Sequence, residues 1–439
     1  MLLMQRAIAC IVAFVAAIVA LSMCFSVRVS AQTPEWHQWR GQNRDGHSPE
    51  TDLLQSWPAE GPSLAWTASG VGIGFSSFSA SDGRLYTLGA RGGSEFVVAL
   101  DATTGVRLWA TAHGRRFNNE MGDGSRSTPT VNGDRLYALG ARGDLTCLEA
   151  ATGRVTWSIN VLERYGGYNP YWGLSESPLV VGDRVLVNTG GHDGAIVALD
   201  KRDGSLVWRS QSDGAAYSSA VVQHLGGFDS AIFLTAQRAL GLAIDDGRLL
   251  WSYDGVANMT ANIATPIVRG NQVFLSSNYG RGGALLEIGP SGAGAREVYY
   301  STSMRNHHSS SVLVGDHLYG FSSAILTALR FSDGKIAWRD RSVGKGSLIY
   351  ADGRLYLFSE RGVVGLAEAS PTGYRELGRF RLEIGPLPTW SHPIISEGQL
   401  ILRVQDMIYA YDIRAVRCTV SRGRGGRDSG FPCYACRRP

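Results

Sequence analysis

From about residue 76 the chain alternates apolar and polar positions with a period of two, in runs too short for anything but strands. Gly-Asp or Asp-Gly separates consecutive runs in Asn132–Tyr137, Val181–Leu186, Val314–Tyr319 and Ala351–Tyr356, the pattern of a tight hairpin. No comparable stretch carries the 3.6-residue period of an amphipathic helix. The pattern therefore predicts an all-β body of many short, hairpin-connected strands.

These strands recur as a larger unit. Ala99–Trp109, Cys147–Trp157, Ala198–Trp208 and Ala328–Trp338 superimpose almost residue for residue, and Gly241–Trp251 is a looser copy. Each copy ends one strand, turns at Gly105, Gly153, Gly204, Gly334 or Gly247, and runs into a strand that closes on Trp109, Trp157, Trp208, Trp338 or Trp251. Glycine supplies the positive φ of the turn, and an indole is large enough to fill the gap between two packed sheets. Together with the preceding hairpin, each unit has four strands, A to D, at the spacing of a propeller blade. First strands begin near Ser76, Ser127, Glu176, Tyr217, Ile263, Ser309, Gly346 and Ser391, which counts eight blades. The last unit has no strand D, whereas Ser63–Thr67, with Trp66, matches a strand D with nothing before it. Pairing these two fragments closes a ring and removes two exposed sheet edges, which a linear β-solenoid would leave open.

Composition narrows the picture. A chain of 439 residues allows two to four ordinary domains or one repeat architecture, and 44% apolar with 18% charged residues excludes a disordered chain. The 55 glycines fit the repeated turns. The net charge of +4 belongs to the ends: residues 1–31 contribute +2 and residues 416–439 contribute +5, leaving −3 for residues 32–415. The body therefore offers no basic surface for a nucleic acid, and no nucleic-acid partner is expected.

The two ends differ from the body. Arg6, the uncharged apolar stretch Ala7–Phe25 and the small residues Val29-Ser30-Ala31 predict a signal peptide over 1–31, with an uncleaved anchor as the alternative and the only expected route to a membrane. Either places the body, 32–415, outside the cytoplasm, periplasmic or extracellular. Residues 416–439 form a Gly/Arg-rich tail without alternation, expected to be disordered. Cys433 and Cys436 in that tail have metal or redox spacing but no second pair nearby, so a local disulfide or no role is expected; Cys147 reads as a small buried apolar residue.

The Ala-x-Asp-x-x-Thr/Asp-Gly-x-x-x-Trp repeat resembles the tryptophan-docking motif of the pyrroloquinoline quinone (PQQ) repeat propellers, over about residues 36–415. Quinoprotein alcohol dehydrogenases and the BamB assembly lipoproteins share that scaffold. Trp36–Gly46 resembles the opening of secreted PQQ-binding-like β-propeller repeat proteins. The resemblance implies an eight-bladed propeller of four-stranded antiparallel blades, and leaves two functions open. A quinoprotein dehydrogenase would need a carboxylate base, a Ca²⁺ held by Glu, Asn and Asp oxygens, and an aromatic floor beneath the quinone. Its adjacent-cysteine disulfide has no counterpart here, and Asp45 and Glu176 form no recognisable base or calcium pattern. No cofactor, catalytic residue or metal is therefore expected, and the favoured function is a scaffold, expected to be monomeric, that binds a protein partner or small ligand.

The binding face is expected where the D–A loops meet at the propeller mouth. Two are long, Thr111–Arg126 and Asn160–Ser175. Candidate contacts are Arg126, Tyr168, Trp172, Glu176, His307, His308, Trp390 and His392, with Arg126, Glu176, His308 and His392 at the neck of a polar, aromatic-rimmed funnel. Plainer roles compete: an Arg126–Glu176 ion pair, a tyrosine cluster packed on itself, and histidines that only hydrogen-bond. Arg40, Asp45 and Gly46 read as organisers of an N-terminal turn, and Asn258-Met-Thr260 matches a glycosylation sequon.

Overall fold

A computed structural model describes residues 35–415 except 193, 226 and 227. The leader, the basic tail and its cysteines lie outside the described residues. Those described form eight four-stranded antiparallel sheets, each in simple A-B-C-D order, arranged as a β-propeller. We number the blades in chain order: 79–115, 130–160, 179–210, 221–253, 267–301, 312–340 and 346–381, with blade 8 assembled from both ends of the body. Its strands Ile394–Ser396, Gln399–Val404 and Met407–Asp412 are completed by Ser63–Ala68, with Ser63 opposite Asp412 and Ala68 opposite Ile408. Ring closure is thus as the half-blades required. One short helix, Val161–Tyr165, interrupts the β pattern; Asn160 caps it by accepting from the Leu162 and Glu163 amides.

The repeat works as a lock between neighbouring blades. Trp109, Trp157, Trp208 and Trp338 each donate their indole N–H to a backbone carbonyl of the next blade: Ala150, Lys201, Ile244 and Ser370. The glycine of the next blade's turn seats the preceding ring. A Cβ on Gly105 would fall 2.4 Å from Trp66, and one on Gly247 would fall 2.5 Å from Trp208. Four positions depart from the motif: Trp338 keeps its indole bond but has no glycine seat, since Gly373 in the turn of blade 7 has nothing within 4 Å of a built Cβ, and three others differ further. Gly334 seats Tyr299 rather than a tryptophan, Phe380 takes the indole's place against Gly61, and Trp251 finds no seat because blade 5 lacks the Thr/Asp-Gly turn. The Trp251 ring packs in one apolar cluster with Val273, Leu286 and Ile288 of blade 5 and lies against Gly241 of its own blade.

Residues 36–48 do more than form a turn. They cross the propeller axis. The carbonyls of Trp36 and His37 bond strands A of blades 1 and 2, and Gly46 and Ser48 bond Tyr350 of blade 7. Between them, Arg40 donates to Ser311 O and Arg44 donates to Ser177 O, Pro178 O and Ala220 O, so two guanidiniums satisfy carbonyls of blades that the chain reaches much later. Gly46 must be glycine: φ is +81° and a Cβ would meet the Arg40 guanidinium at 2.8 Å. From there the chain passes blade 7 and emerges as the outer strand of blade 8.

Candidate functional site

A cavity of about 340 Å³ lies at the mouth formed by the D–A loops. Each blade gives it one side chain from the approach to strand A, four residues before the strand in seven blades and directly before the longer strand A of blade 7: Phe75, Arg126, Ser175, Tyr217, Ile263, His308, Lys345 and Trp390. Strand geometry explains the selection. Side chains alternate faces, so this position and the one two residues later point to the axis, while the residue between them points into the blade. Two residues on, seven of the eight positions are Ser or Thr: Ser77, Thr128, Ser177, Ser219, Thr265, Ser310 and Ser347. Several hydroxyls accept from the backbone of the preceding blade, as Ser177 does from Thr128, Ser219 from Ser177 and Ser310 from Thr265. The eighth is His392.

The floor is Trp39, carried in by the crossing segment. Its indole donates to Thr265 Oγ1 at 2.9 Å, and its ring lies 4.6 Å from that of His392. The walls are aromatic: Trp390 contacts Phe75 at 5.0 Å and His308 at 6.0 Å, and Trp172 faces Tyr217 at 5.6 Å. Lys345 lies 3.3 Å from Glu360, which also accepts from the Trp390 indole. The lining contains no Asp, Glu, Asn or Gln among the described residues.

Six of the eight candidate residues converge here: Arg126, Trp172, His307, His308, Trp390 and His392. Two do not. Tyr168 lies on the outer rim, 68% exposed, edge-on to His192. Glu176 is 2% exposed and away from the lining. It occupies the intervening position of the strand A approach, where other blades place Ser76, Ser127, Ser218, Ala264, Ser309, Gly346 and Ser391. A one-residue step turns its side chain from the axis into the blade. Nor does it pair with Arg126. Its carboxyl oxygen accepts from the Asn188 amide, and the nearby cation is Arg44. Burial outweighs both and pushes its pKa up to about 8. Arg126 instead donates to Gly122 O and Gly124 O and lies 4.8 Å over the Phe117 ring.

Burial holds the three histidines neutral. His307 is lowered to about 4 and His392 to about 3, and His308 well below its ordinary value, with Lys345 and Arg40 adding repulsion. His307 meets Tyr279 OH at 2.8 Å, and His392 donates to His308 O. No group of three potential metal ligands occurs among the described residues. The sequon asparagine is also spoken for: the buried Asn258 amide is tied to Ala261 O and Asn262 Oδ1.

Trp39, Phe75, Tyr217 and Tyr279 complete the site without having been singled out from sequence. The signal that finds three of them is positional. Phe75 and Tyr217 occupy the same place as Arg126 and Trp390 in the repeat, and Trp39 belongs to the Trp36–Gly46 stretch that the resemblance marked. Tyr279 comes from a B–C loop and has no such marker.

Fold and site define an eight-bladed β-propeller with an aromatic cavity on its axis. The chain belongs to the family described as outer membrane protein assembly factor BamB, whose family model matches residues 93–340. A BamB of Shewanella oneidensis is 23% identical over 325 residues, covering 66% of this chain and 80% of that protein. Among solved structures, BamB from Moraxella catarrhalis superimposes with a TM-score of 0.58 at 13% identity, covering 80% of this chain and 99% of its own. The quinohemoprotein alcohol dehydrogenase of Comamonas testosteroni gives 0.63 at 13% identity, covering 91% and 84%. At those identities the structural likeness concerns the fold alone.

Proposed function

We propose that this chain is an exported scaffold that holds a protein partner at the D–A mouth, with no catalysis of its own. The observation that carries the reading is that all eight blades contribute one side chain to a single recessed cavity, around which Met121, Tyr168, Tyr171 and Met259 stand exposed. Exposed apolar side chains beside a recessed aromatic cavity favour its use as an interaction surface. Membership of an outer-membrane assembly family supports a protein partner in that setting, and a periplasmic location.

A quinone cofactor fits the donor set poorly. The aromatic floor and walls suit a flat ring, but Ca²⁺ takes several oxygen ligands, and the lining supplies neither carboxylate nor carboxamide. It likewise has no carboxylate to act as base. Titrating purified protein with PQQ and Ca²⁺ is expected to give no quinone absorbance change and no alcohol- or sugar-dependent dye reduction; turnover would overturn the reading. Combined Trp172→Ala and Trp390→Ala substitution is expected to weaken partner binding while leaving the fold's circular dichroism intact.

A further inference from the structure

The mouth is chemically divided. Because successive strands run antiparallel, B–C and D–A loops emerge at the same end of every blade. On the side of blades 1 to 5, those loops expose Met121, Tyr168, Tyr171 and Met259, the last 95% exposed, together with charges of both signs: Arg115, Arg142 and Arg164 among Glu120, Glu163 and Asp254. On the side of blades 5 to 7 they expose arginines: Arg281, Arg305, Arg341 and Arg361. Local hydrogen bonds tie these positions together. Asn278 accepts from the Arg281 amide and donates its side chain to Arg305 O, while Arg341 O accepts from Gly344 N and Lys345 O accepts from Glu360 N, beside Arg361. None of the four guanidiniums lies within ion-pair distance of a carboxylate among the described residues. The sector's acids are few and partly engaged: Glu360 faces Lys345, Asp340 accepts from Ser342 N, and Glu383 is exposed. The cavity between the two sectors carries Arg126 and Lys345 and no acid.

Resting on the protein-partner reading, we infer that the occupant of the mouth is an acidic polypeptide segment, its carboxylates on the arginine sector and an aromatic or apolar side chain in the axial cavity. Charge complementarity selects its sign: around blades 5 to 7 the unpaired arginines outnumber the free acids, whereas on the other side Arg115, Arg142 and Arg164 stand among Glu120, Glu163 and Asp254. The excess raises the potential in the first sector and favours carboxylates, with which guanidinium forms paired hydrogen bonds. The shape of the site selects its class. An anionic membrane also attracts arginines, but a flat surface cannot enter a recessed cavity whose floor is Trp39. A small anion would leave Tyr168, Tyr171 and Met259 uncovered.

Selection of random displayed short peptides on the intact chain tests this. Enriched binders are expected to carry Asp or Glu near an aromatic residue and to weaken with rising salt. A synthetic copy of the best binder should lose about tenfold or more in affinity for the variant combining Arg305→Glu, Arg341→Glu and Arg361→Glu. These side chains are exposed, so the variant should keep its melting temperature. The same peptide with Asn and Gln for Asp and Glu should weaken similarly on the unaltered chain. Binders without acidic enrichment that still depend on Trp172 and Trp390 would overturn the acidic class and leave the mouth as the binding site. Binders indifferent to both sets of substitutions would overturn both readings. No enrichment, or binding of phosphatidylglycerol vesicles without peptide binding, overturns the inference.

Discussion

Glu176 shows what a single residue can and cannot reveal. Its side chain is fixed by alternation, one step out of phase with the cavity, and that phase depends on where strand A begins. The strand's approach reads extended from Glu176 onward, so chemistry alone marks Glu176 as a neighbour of Arg126. Its buried carboxyl, raised to about 8, makes a distinct pH prediction. The native state holds its proton up to that value, while the unfolded chain releases it near the ordinary 4.5. The stability due to this group is therefore full below about 4.5 and is lost as the pH rises to about 8, at up to about 1.4 kcal/mol per pH unit. The neutral histidines act in the opposite sense below their ordinary value, so the informative quantity is a difference. Denaturant unfolding of Glu176→Gln and of the unaltered chain between pH 5 and 8 should give curves that diverge with rising pH, the variant becoming the more stable. Parallel curves would mean that Glu176 is ionised in the folded protein.

At the scale of the element, the Thr/Asp-Gly turn and the Trp strand were legible because one local sequence repeats where one local structure repeats. Trp208 and Gly247 lie far apart in sequence, yet period and composition identify both. What stayed hidden lacks a repeated partner: Tyr299 and Phe380 replace the indole with rings that share its bulk but not its N–H, and only the contact with Gly334 or Gly61 identifies them. The candidates that line the cavity and the two that do not divide only in part this way: Trp172 reaches the cavity from the same loop as Tyr168, and Glu176 holds a repeat position one step out of phase. Position in the repeat locates Arg126, His308 and Trp390, whereas Tyr168 belongs to a loop whose packing no period governs. The seat itself can be tested against a turn of similar φ. Gly133, at φ +61°, has nothing within 4 Å of a built Cβ, whereas Gly247, at +73°, would place one 2.5 Å from Trp208. Gly133→Ala should cost only the left-handed strain, about 1–2 kcal/mol. Gly247→Ala should cost that and a further 1–3 kcal/mol for the displaced indole. Thermal midpoints, with Trp fluorescence following the indole, check the difference; equal losses would mean that the blades are not held together by this contact.

The molecule as a whole depends on ends that meet. Two half-blades, separated in sequence by seven complete ones, become a single sheet only if the ring closes, and the segment crossing the axis ties blades 1 and 2 to blade 7 on the way. Both devices place the cavity: closure sets the spacing of its eight wall residues, and the crossing segment supplies its floor. The sequence shows the first through the missing strand D, but not the second, because Arg40 and Arg44 bond backbone carbonyls, which carry no side-chain signature. Closure can be broken without touching a wall residue. A chain ending after Val404 loses strand Met407–Asp412, the ladder partner of Ser63–Ala68 among the described residues. It also removes Ile408, Ala410, Tyr411 and Ile413 from the core. Burying one large apolar side chain contributes about 1.5–3 kcal/mol, so losing three such residues and a ladder consumes much of a typical net stability of about 5–15 kcal/mol. Two exposed edges then favour edge-to-edge association. The shortened chain is expected to aggregate on expression, and a peptide of residues 405–415 supplied during refolding should restore soluble protein and the near-ultraviolet signal of its tryptophans. If the shortened chain instead stays soluble with that signal unchanged, the blades hold their ring without the final strand, and closure would not be what positions the axial cavity.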